Sequence, residues 1–467
     1  MPVLSTELQR GRYAPPPSMT RVFPPRRAIP ALEKALFLRN RRRLLRRLRG
    51  GVALVGTARL TRRSNDIEHP FRPDSTFYYL TGFGEPEAAA LLAPGRPGGA
   101  YWLLVRPRHP VQEVWTGRRA GVQGARARYG ADQSRPIADL EPVLEQAIEG
   151  SPCFYYSFGR NPDMDRVVSR VLRRMRRSRG RRPPRRVADL ADLTDEMRLV
   201  KDRTEIRHMG RVAAITCAAH RAAMLEAGPG VAEYQVQAVL EYEFLSRGGD
   251  GPAYPSIIAS GANACTLHYT SNRRRMRAGE LLLMDAGCES QCYSADVTRT
   301  IPVGGRFSPS QRALYQVVLE AQEAAIAAVR PGASCQTPHR VAVRRLVEGM
   351  VALGILWGGV EEGIRAGSYK KYFMHRTSHW LGMDVHDVGA MERAGRPRRL
   401  AAGMVLTVEP GLYFPAGDPR VPPAYRGVGI RIEDDVLVTH RGRRVLTAGA
   451  PKTPEEIERT MDSRVRR

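Results

Sequence analysis

Lysine is almost missing from this 467-residue chain: of its 74 basic residues only Lys34, Lys201, Lys370, Lys371 and Lys452 are lysine, so 69 are arginine. Against 47 acids the formal charge is +27. Such a surplus invites a nucleic-acid reading, yet it is spread along the chain, with peaks at 39–49 and 173–186. Arginine-biased composition on solvated helix faces accounts for it, so no specific nucleic-acid partner is expected, only salt-dependent adhesion to polyanions. Long apolar runs are missing too. None approaches the ~18 residues of a membrane span, so no membrane partner is expected. Met1–Pro30 lacks the roughly 7–15-residue apolar stretch of a secretory leader. Five arginines and one acid, Glu7, lie within residues 1–27, but the prolines there spoil an amphipathic presequence helix. We expect a flexible tail over 1–25 and a cytoplasmic location. Cysteine is scarce: six, at 153, 217, 265, 288, 292 and 335, in a spacing that matches neither a zinc ribbon nor a secreted disulfide framework. Reduced structural thiols are the expectation, although Cys288 and Cys292 could face each other across a hairpin.

What is present is enough apolar material, 42% of residues, for real cores, and a length that suggests two domains. A basic amphipathic helix is expected over 31–50, stopped by Gly50-Gly51. Strands are expected at Val52–Ala58, Ser75–Phe83, Ala88–Ala93, Tyr101–Val105 and Cys153–Phe158, then a helix to about Arg177. The stretch 178–186, with Gly180 and paired prolines, cannot continue that helix and reads as a linker. This gives a smaller α/β N-terminal domain over 26–190, a mixed α+β domain over 191–450 and a basic tail over 451–467. In the second domain, helical periodicity covers Glu196–Leu225, about Ala232–Ser246, 309–329 and 338–353, and strand signals fill 254–303 and 372–448.

An internal echo sits inside that second domain. Residues 278–287 (Ala-Gly-Glu-Leu-Leu-Leu-Met-Asp-Ala-Gly) align without gaps against 402–411 (Ala-Gly-Met-Val-Leu-Thr-Val-Glu-Pro-Gly). Each copy has a Gly turn, a short buried strand, one carboxylate at the same offset and another Gly, which is what a pseudo-twofold site would look like. The run Leu281–Met284 is continuously apolar, so Asp285 at its end is withdrawn from water. Asp296 follows on the returning strand of a hairpin. Glu409 and Glu433 sit in the apolar contexts Val405–Val408 and Ile430–Val438. Four buried carboxylates need compensating positive charge. Pairing with Arg299 or Arg431 is the simplest source. A glycosidase pair would use two acids, not four beside a histidine cluster. A pair of divalent cations is the third possibility. A lone histidine is usually a satisfied polar residue. His375, His379 and His386 within one twelve-residue segment beside four strand acids favour the cations.

These segments resemble aminopeptidase P (Xaa-Pro aminopeptidase), of the pita-bread metallopeptidases that also include prolidase, methionine aminopeptidase and creatinase. The resemblance covers nearly the whole chain. It is carried by 267–270 (Leu-His-Tyr-Thr), 283–289, 295–300 (Ala-Asp-Val-Thr-Arg-Thr), 375–389 (His-Arg-Thr-Ser-His-Trp-Leu-Gly-Met-Asp-Val-His-Asp-Val-Gly), 407–413 (Thr-Val-Glu-Pro-Gly-Leu-Tyr) and 429–435 (Gly-Ile-Arg-Ile-Glu-Asp-Asp). In the first domain, 64–66 and 77–87 look like the family's non-catalytic domain. The resemblance implies a pita-bread catalytic domain with a pseudo-twofold sheet core. It implies two divalent ions, Mn²⁺ by family expectation with Co²⁺ or Zn²⁺ as alternatives. Asp285 would hold one ion, Asp296 and Glu433 would bridge both, and His379 and Glu409 would hold the other. A bridging water or hydroxide would attack the first peptide bond of substrates with proline in second place. His268, His375 and His386 match active-site histidines of the family, and Arg431 a supporting residue. Tyr254 and Tyr413 would line the pocket, with packing roles as the simpler alternative. His268, Tyr269 and the His375–Trp380 segment could supply ring faces for the proline. The family also implies a dimer or tetramer in which Trp115 reaches a neighbouring site, against the simpler reading of a core tryptophan. The alternatives are a prolidase restricted to dipeptides and a non-catalytic basic pita-bread module.

Overall fold

Alternation within Val52–Gly56 organises the first half of the chain. In this computed structural model, which describes residues 31–463, Val52 and Leu54 join one apolar cluster with Leu144, Val168 and Val171. Ala53 and Val55 join another, with Leu44, Phe77 and Leu103. A strand buried on both faces needs cover on both sides of its sheet. Helix Lys34–Leu48 supplies one cover, and Leu140–Ile148 with Pro162–Arg177 supplies the other. The sheet runs Gln133–Pro136, Tyr101–Val105, Ala89–Leu92, Val52–Gly56, Phe154–Tyr155, Val187–Ala188 in spatial order. Its ladders are antiparallel on either side of Ala89–Leu92 and parallel elsewhere. This is an α/β unit. The expected tail over 1–25 lies outside the described residues.

Two expectations fail in or beside this unit. Ser75–Phe83, whose aromatic residues suggest a strand, contains the helix Ser75–Thr81. Asp74 accepts from the Phe77 N–H at its start, and Gly82, at φ 65°, ends it by donating to Tyr78 O. Strong caps at both ends override the β-preference of Phe and Tyr, which buried helices also satisfy. The helical stretch 196–225 is in fact two helices, Ala191–Leu199 and Arg203–Glu226. Asp202 breaks it by forming a reciprocal cap with Glu205.

In the second half, helices Arg203–Glu226, Glu233–Ser246, Pro309–Ala328 and Thr337–Ala352 pack residues such as Val212, Leu240, Leu314 and Leu346 against Leu282, Met284 and Ile301 of the sheet. Strand Leu281–Asp285 is flanked antiparallel by Ile257–Ser260 and Thr298–Pro302. Strand Val405–Val408 is flanked by Asp434–Thr439 on one side. On its other side runs the segment 377–381, through the Trp380–Leu406 bridge and bonds from Thr407 N to His379 O and Glu409 N to Thr377 O. The two copies of the internal echo are thus the middle members of two similarly built ladders, and Asp285 and Glu409 occupy equivalent ends. This is the pita-bread arrangement.

Departures from expectation here are local. Asp296 does not lie on a strand but in the irregular residues 295–297 between Tyr293–Ser294 and Thr298–Pro302. Likewise Ile430–Val438 is interrupted at 432–433, between Val428–Arg431 and Asp434–Thr439. Each break releases one carboxylate from the ladder. The segment expected as a basic tail from 451 instead forms helix Pro454–Asp462, capped by Thr453 and Glu456. Ile457 and Met461 on it enter the main core beside Phe307 and Tyr315. Its alternating acids and arginines conceal those few apolar positions. All six cysteines are free, Cys288 and Cys292 included. Among the described residues no helix is long and apolar enough to cross a membrane.

The chain leaving Asp285 passes close to its returning arm. A Cβ built on Gly287 would lie 1.7 Å from Ala295 O. Gly287→Ala must therefore push apart the residues that connect Asp285 and Asp296. We expect a loss of about 2–3 kcal/mol, read as a lower thermal midpoint. An unchanged midpoint would show that the hairpin has room to spare.

Candidate active site

Asp285 emerges from its apolar strand into a set of directed donors. Arg431 donates from Nη2 to Asp285 Oδ2 at 2.6 Å, from Nη1 to the Tyr413 hydroxyl at 2.9 Å and from Nε to Thr298 Oγ1 at 3.0 Å. Thr298 in turn donates to Glu433 Oε2 at 2.6 Å. The Tyr254 hydroxyl stands 2.6 Å from Asp285 Oδ1 and 2.5 Å from Asp296 Oδ1, bridging the two carboxylates with its single proton. Arginine pairing therefore does operate, but Arg431 meets one acid only. The other candidate, Arg299, is spent on Asp434 at 2.7 Å and on the carbonyls of Thr298 and Glu433.

Three candidate ligands, Asp296, His379 and Glu433, each offer a donor atom within 4.8 Å of the others. His379 Nε2 lies 3.4 Å from Asp296 Oδ2 and 3.7 Å from Glu409 Oε1. Its Nδ1 donates to Trp380 O at 3.0 Å, which turns Nε2 toward the acids. Burial, then repulsion from Asp296, Glu409 and Asp285, pushes the Glu433 carboxyl well above its ordinary range. Burial lifts Glu409 to about 7 against the attraction of His379 and Arg431. Burial also raises Asp285 despite Arg431. For His379 burial opposes the charged ring, but Asp296 and Glu409 outweigh it and lift the imidazole to about 9. Four carboxylates and one imidazole nitrogen so arranged fit divalent cations well: hard oxygens, one nitrogen, and a charge that protons would otherwise have to neutralise.

These groups open into a cavity of about 550 Å³, lined also by His268, His375, His386, Tyr254, Arg376, Ser378 and the apolar Pro255, Ile257, Leu267 and Val385. The His386 and His379 rings lie 4.4 Å apart. His375 donates from Nδ1 to Arg376 O at 2.9 Å and accepts at Nε2 from the Tyr413 hydroxyl at 2.8 Å. Burial and the nearby Arg431 push its imidazole down to about 4, so it is neutral.

Trp115, expected at a neighbouring copy's site or else in a core, is 85% exposed on helix Pro110–Thr116, none of whose residues is buried, which removes the core reading. Some expected participants are not brought to the cavity. Tyr413 is buried behind Arg431 and His375 rather than in the wall. Tyr269 donates to Glu233, and Trp380 packs into a separate cluster with Leu199 and Leu406, so neither supplies a ring face. Sequence reasoning overlooked Thr298, Ser378 and Asp435, whose carboxylate accepts from the Asp296 N–H at 3.2 Å. Thr298 had a signal: it stands two residues after Asp296, where a buried acid nearby needs a donor.

Residues 207–440 match metallopeptidase family M24, and residues 37–155 match the aminopeptidase P N-terminal domain. The chain is 42% identical to the Xaa-Pro aminopeptidase of Escherichia coli over 429 residues, 91% of this chain and 97% of that protein. The chain belongs to metallopeptidase family M24. Human Xaa-Pro aminopeptidase 3 is 35% identical over 399 residues, 85% of this chain and 78% of that protein. The aminopeptidase PepP structure of Pseudomonas aeruginosa superimposes with a TM-score of 0.92 at 44% identity, covering 94% of this chain and all of that chain. A zinc-substituted E. coli aminopeptidase P in complex with product gives 0.90 at 40% identity, over 94% and 99%. This M24 protein is a metal-dependent aminopeptidase that works with divalent metal ions. The prolidase and binding-module alternatives are not favoured.

Proposed function

We propose that this M24 aminopeptidase removes the first residue from peptides with proline in second place, using two divalent ions, Mn²⁺ by preference. The observation that carries the reading is the opening of the whole carboxylate–histidine cluster into a cavity with an aliphatic wall. Asp285 would hold one ion, His379 and Glu409 the other, and Asp296 and Glu433 would serve both. Bound there, the ions supply Lewis acidity and a nucleophile at neutral pH. Tyr254 keeps Asp285 and Asp296 facing one another, and Arg431 fixes Asp285 from behind while ordering Tyr413 against His375. His268 and His386 face the scissile carbonyl, where they stabilise the developing oxyanion or pass protons to the leaving nitrogen. An Xaa-Pro bond is a tertiary amide without an N–H. Pro255, Ile257, Leu267, Val385 and the neutral His375 offer the proline ring an apolar recess. The substrate's free amine is drawn to the carboxylates, which fixes the cut after one residue.

The division of labour along the chain follows: residues 26–190 support and 191–450 catalyse. Val111, Val114 and Trp115 project from a helix with no buried residue. We read them as a contact in a homo-oligomer, a dimer or tetramer, that brings Trp115 to a partner's cavity. Sedimentation should show an oligomer that Trp115→Ala weakens. A fully active monomer would remove this part of the reading.

Asp296→Asn and Glu433→Gln keep shape while removing a charge shared by both cations. Each should lose bound metal and at least ~10²-fold in kcat. Metal content read by elemental analysis is the deciding measurement, and full occupancy in either variant refutes the ligand set. For substrate choice, kcat/KM should be high for Xaa-Pro-Yaa and lower for the Xaa-Pro dipeptide, because binding beyond proline contributes. It should be very low for Xaa-Ala-Yaa and absent for N-acetylated peptides. A dipeptide that outperforms every longer peptide would make this a prolidase.

A further inference from the structure

His386 sits on a loop with no regular structure, residues 381–391. Backbone bonds fix it from Leu381 N to Val405 O, from Asp387 N to Trp380 O and, at its far end, from Arg398 N to Met391 O, while Gly382 O accepts from Ser294 N. Between Leu381 and Asp387 one further backbone bond, from Gly382 N to Asp384 O at 3.2 Å, is joined by a set of side-chain contacts. Asp387, next to His386, is buried and accepts from Lys201 Nζ at 3.0 Å and from Arg198 Nη2 at 2.6 Å. Its carboxylate fills the space that a Cβ on Gly382 would occupy, 2.1 Å from such an atom. Asp384 accepts from Arg198 Nη2 at 2.7 Å and from the Ser75 hydroxyl at 2.6 Å. Arg72 donates to Met383 O at 2.6 Å and, from Nε, to both oxygens of Glu289 at 2.8 and 3.0 Å. Arg198 also donates to Thr76 Oγ1 at 3.1 Å.

Three cations, Arg72, Arg198 and Lys201, are thus matched by three carboxylates, Glu289, Asp384 and Asp387. Burial works against the Asp387 anion, but Lys201 and Arg198 hold its carboxyl below the usual range. A buried ionic cluster contributes little net stability compared with an apolar packing of the same volume, and its best-attested use is to fix one arrangement. Arg72, Ser75 and Thr76 lie within the part of the chain that matches the N-terminal domain, and Arg198 and Lys201 lie in the segment between the two family matches.

We infer that this network is a positioning device: Asp384 and Asp387, gripped by Arg198 and Lys201 and, from the N-terminal domain, by Arg72 and Ser75, hold the loop that carries His386, so that both domains together set the placement of a catalytic group. The inference rests on the proposed role of His386 at the substrate. Arg198, Asp384 and Asp387 are positioning residues and touch no substrate. Loosening them leaves the cation ligands in place and blurs His386, which affects turnover more than substrate binding. Misplacement by about 1 Å can cost ~10²-fold in rate.

The test uses the full-length, metal-loaded enzyme in a double-mutant cycle. Asp387→Asn should lower kcat ~10–100-fold, and Asp384→Asn or Ser75→Ala a fewfold, with KM and metal content near wild type. In a His386→Ala background the same substitutions should cost almost nothing further, because the group they position is gone. If Asp387→Asn does not fold, the pair Asp384→Asn and Ser75→Ala carries the cycle, since the Asp384 side chain is partly exposed. Network variants that lower only the thermal midpoint, or that lower kcat equally in both backgrounds, would overturn the inference and leave a plain interdomain contact. If His386→Ala alone keeps full kcat, the proposed role of His386 is the part that fails.

Discussion

Four carboxylates drawn into one cavity, with Arg431 paired to just one of them, are the constraint on which this structure is built. Asp285, Asp296, Glu409 and Glu433 repel one another and are shielded from water, so each must be held by something stiffer than its own preference. Two ladders hold Asp285 and Glu409 at equivalent strand ends. Two breaks in strand structure turn out Asp296 and Glu433. Tyr254, Thr298 and Arg431 direct donors at the carboxylates, and the His379 ring is oriented by the Trp380 carbonyl. Divalent cations are the natural counterweight, and the duplicated ladder is the scaffold that can keep such a cluster together before they arrive.

Much of this was legible in the chain. A continuous apolar run ending in an acid, repeated at the same offset, announces a buried carboxylate in each of two related halves, and Asp285 and Glu409 sit as that pattern requires. What the pattern could not show is where a strand yields. Asp296 and Glu433 lie in runs with strand-like composition, and their release depends on contacts with residues distant in sequence, such as Asp435 with the Asp296 N–H. Helix Ser75–Thr81 was hidden for a related reason: its caps, Asp74 and Gly82, are short signals beside a long aromatic one. Helix Pro454–Asp462 was hidden by its charges. The aromatic neighbours Tyr269 and Trp380 were misplaced because adjacency to a site residue says nothing about which way a side chain turns.

The arginine surplus, so prominent in composition, divides into two populations. Many of these side chains meet acids on the surface, as Arg170 and Arg174 do with Glu141 and Glu145, where an ion pair contributes little. A few are buried and use the planar guanidinium as a multi-pronged donor that lysine could not imitate. Arg431 reaches Asp285, Tyr413 and Thr298 at once, and Arg299 reaches Asp434 and four backbone carbonyls. The global charge therefore says little about function, while individual arginines say a good deal.

Two of the carbonyls that Arg299 binds belong to Ala450 and Pro451, shortly before helix Pro454–Asp462. The same guanidinium holds the backbone carbonyl of Glu433. A polypeptide is made from its N-terminus, and domains can fold as they emerge. The half of the site built on Asp285 is thus available before the half built on Glu433, and the latter is braced only once Ala450 and Pro451 have also emerged. A product truncated before Ala450 would keep all four carboxylates but lose two of the carbonyls that fix Arg299 behind Glu433.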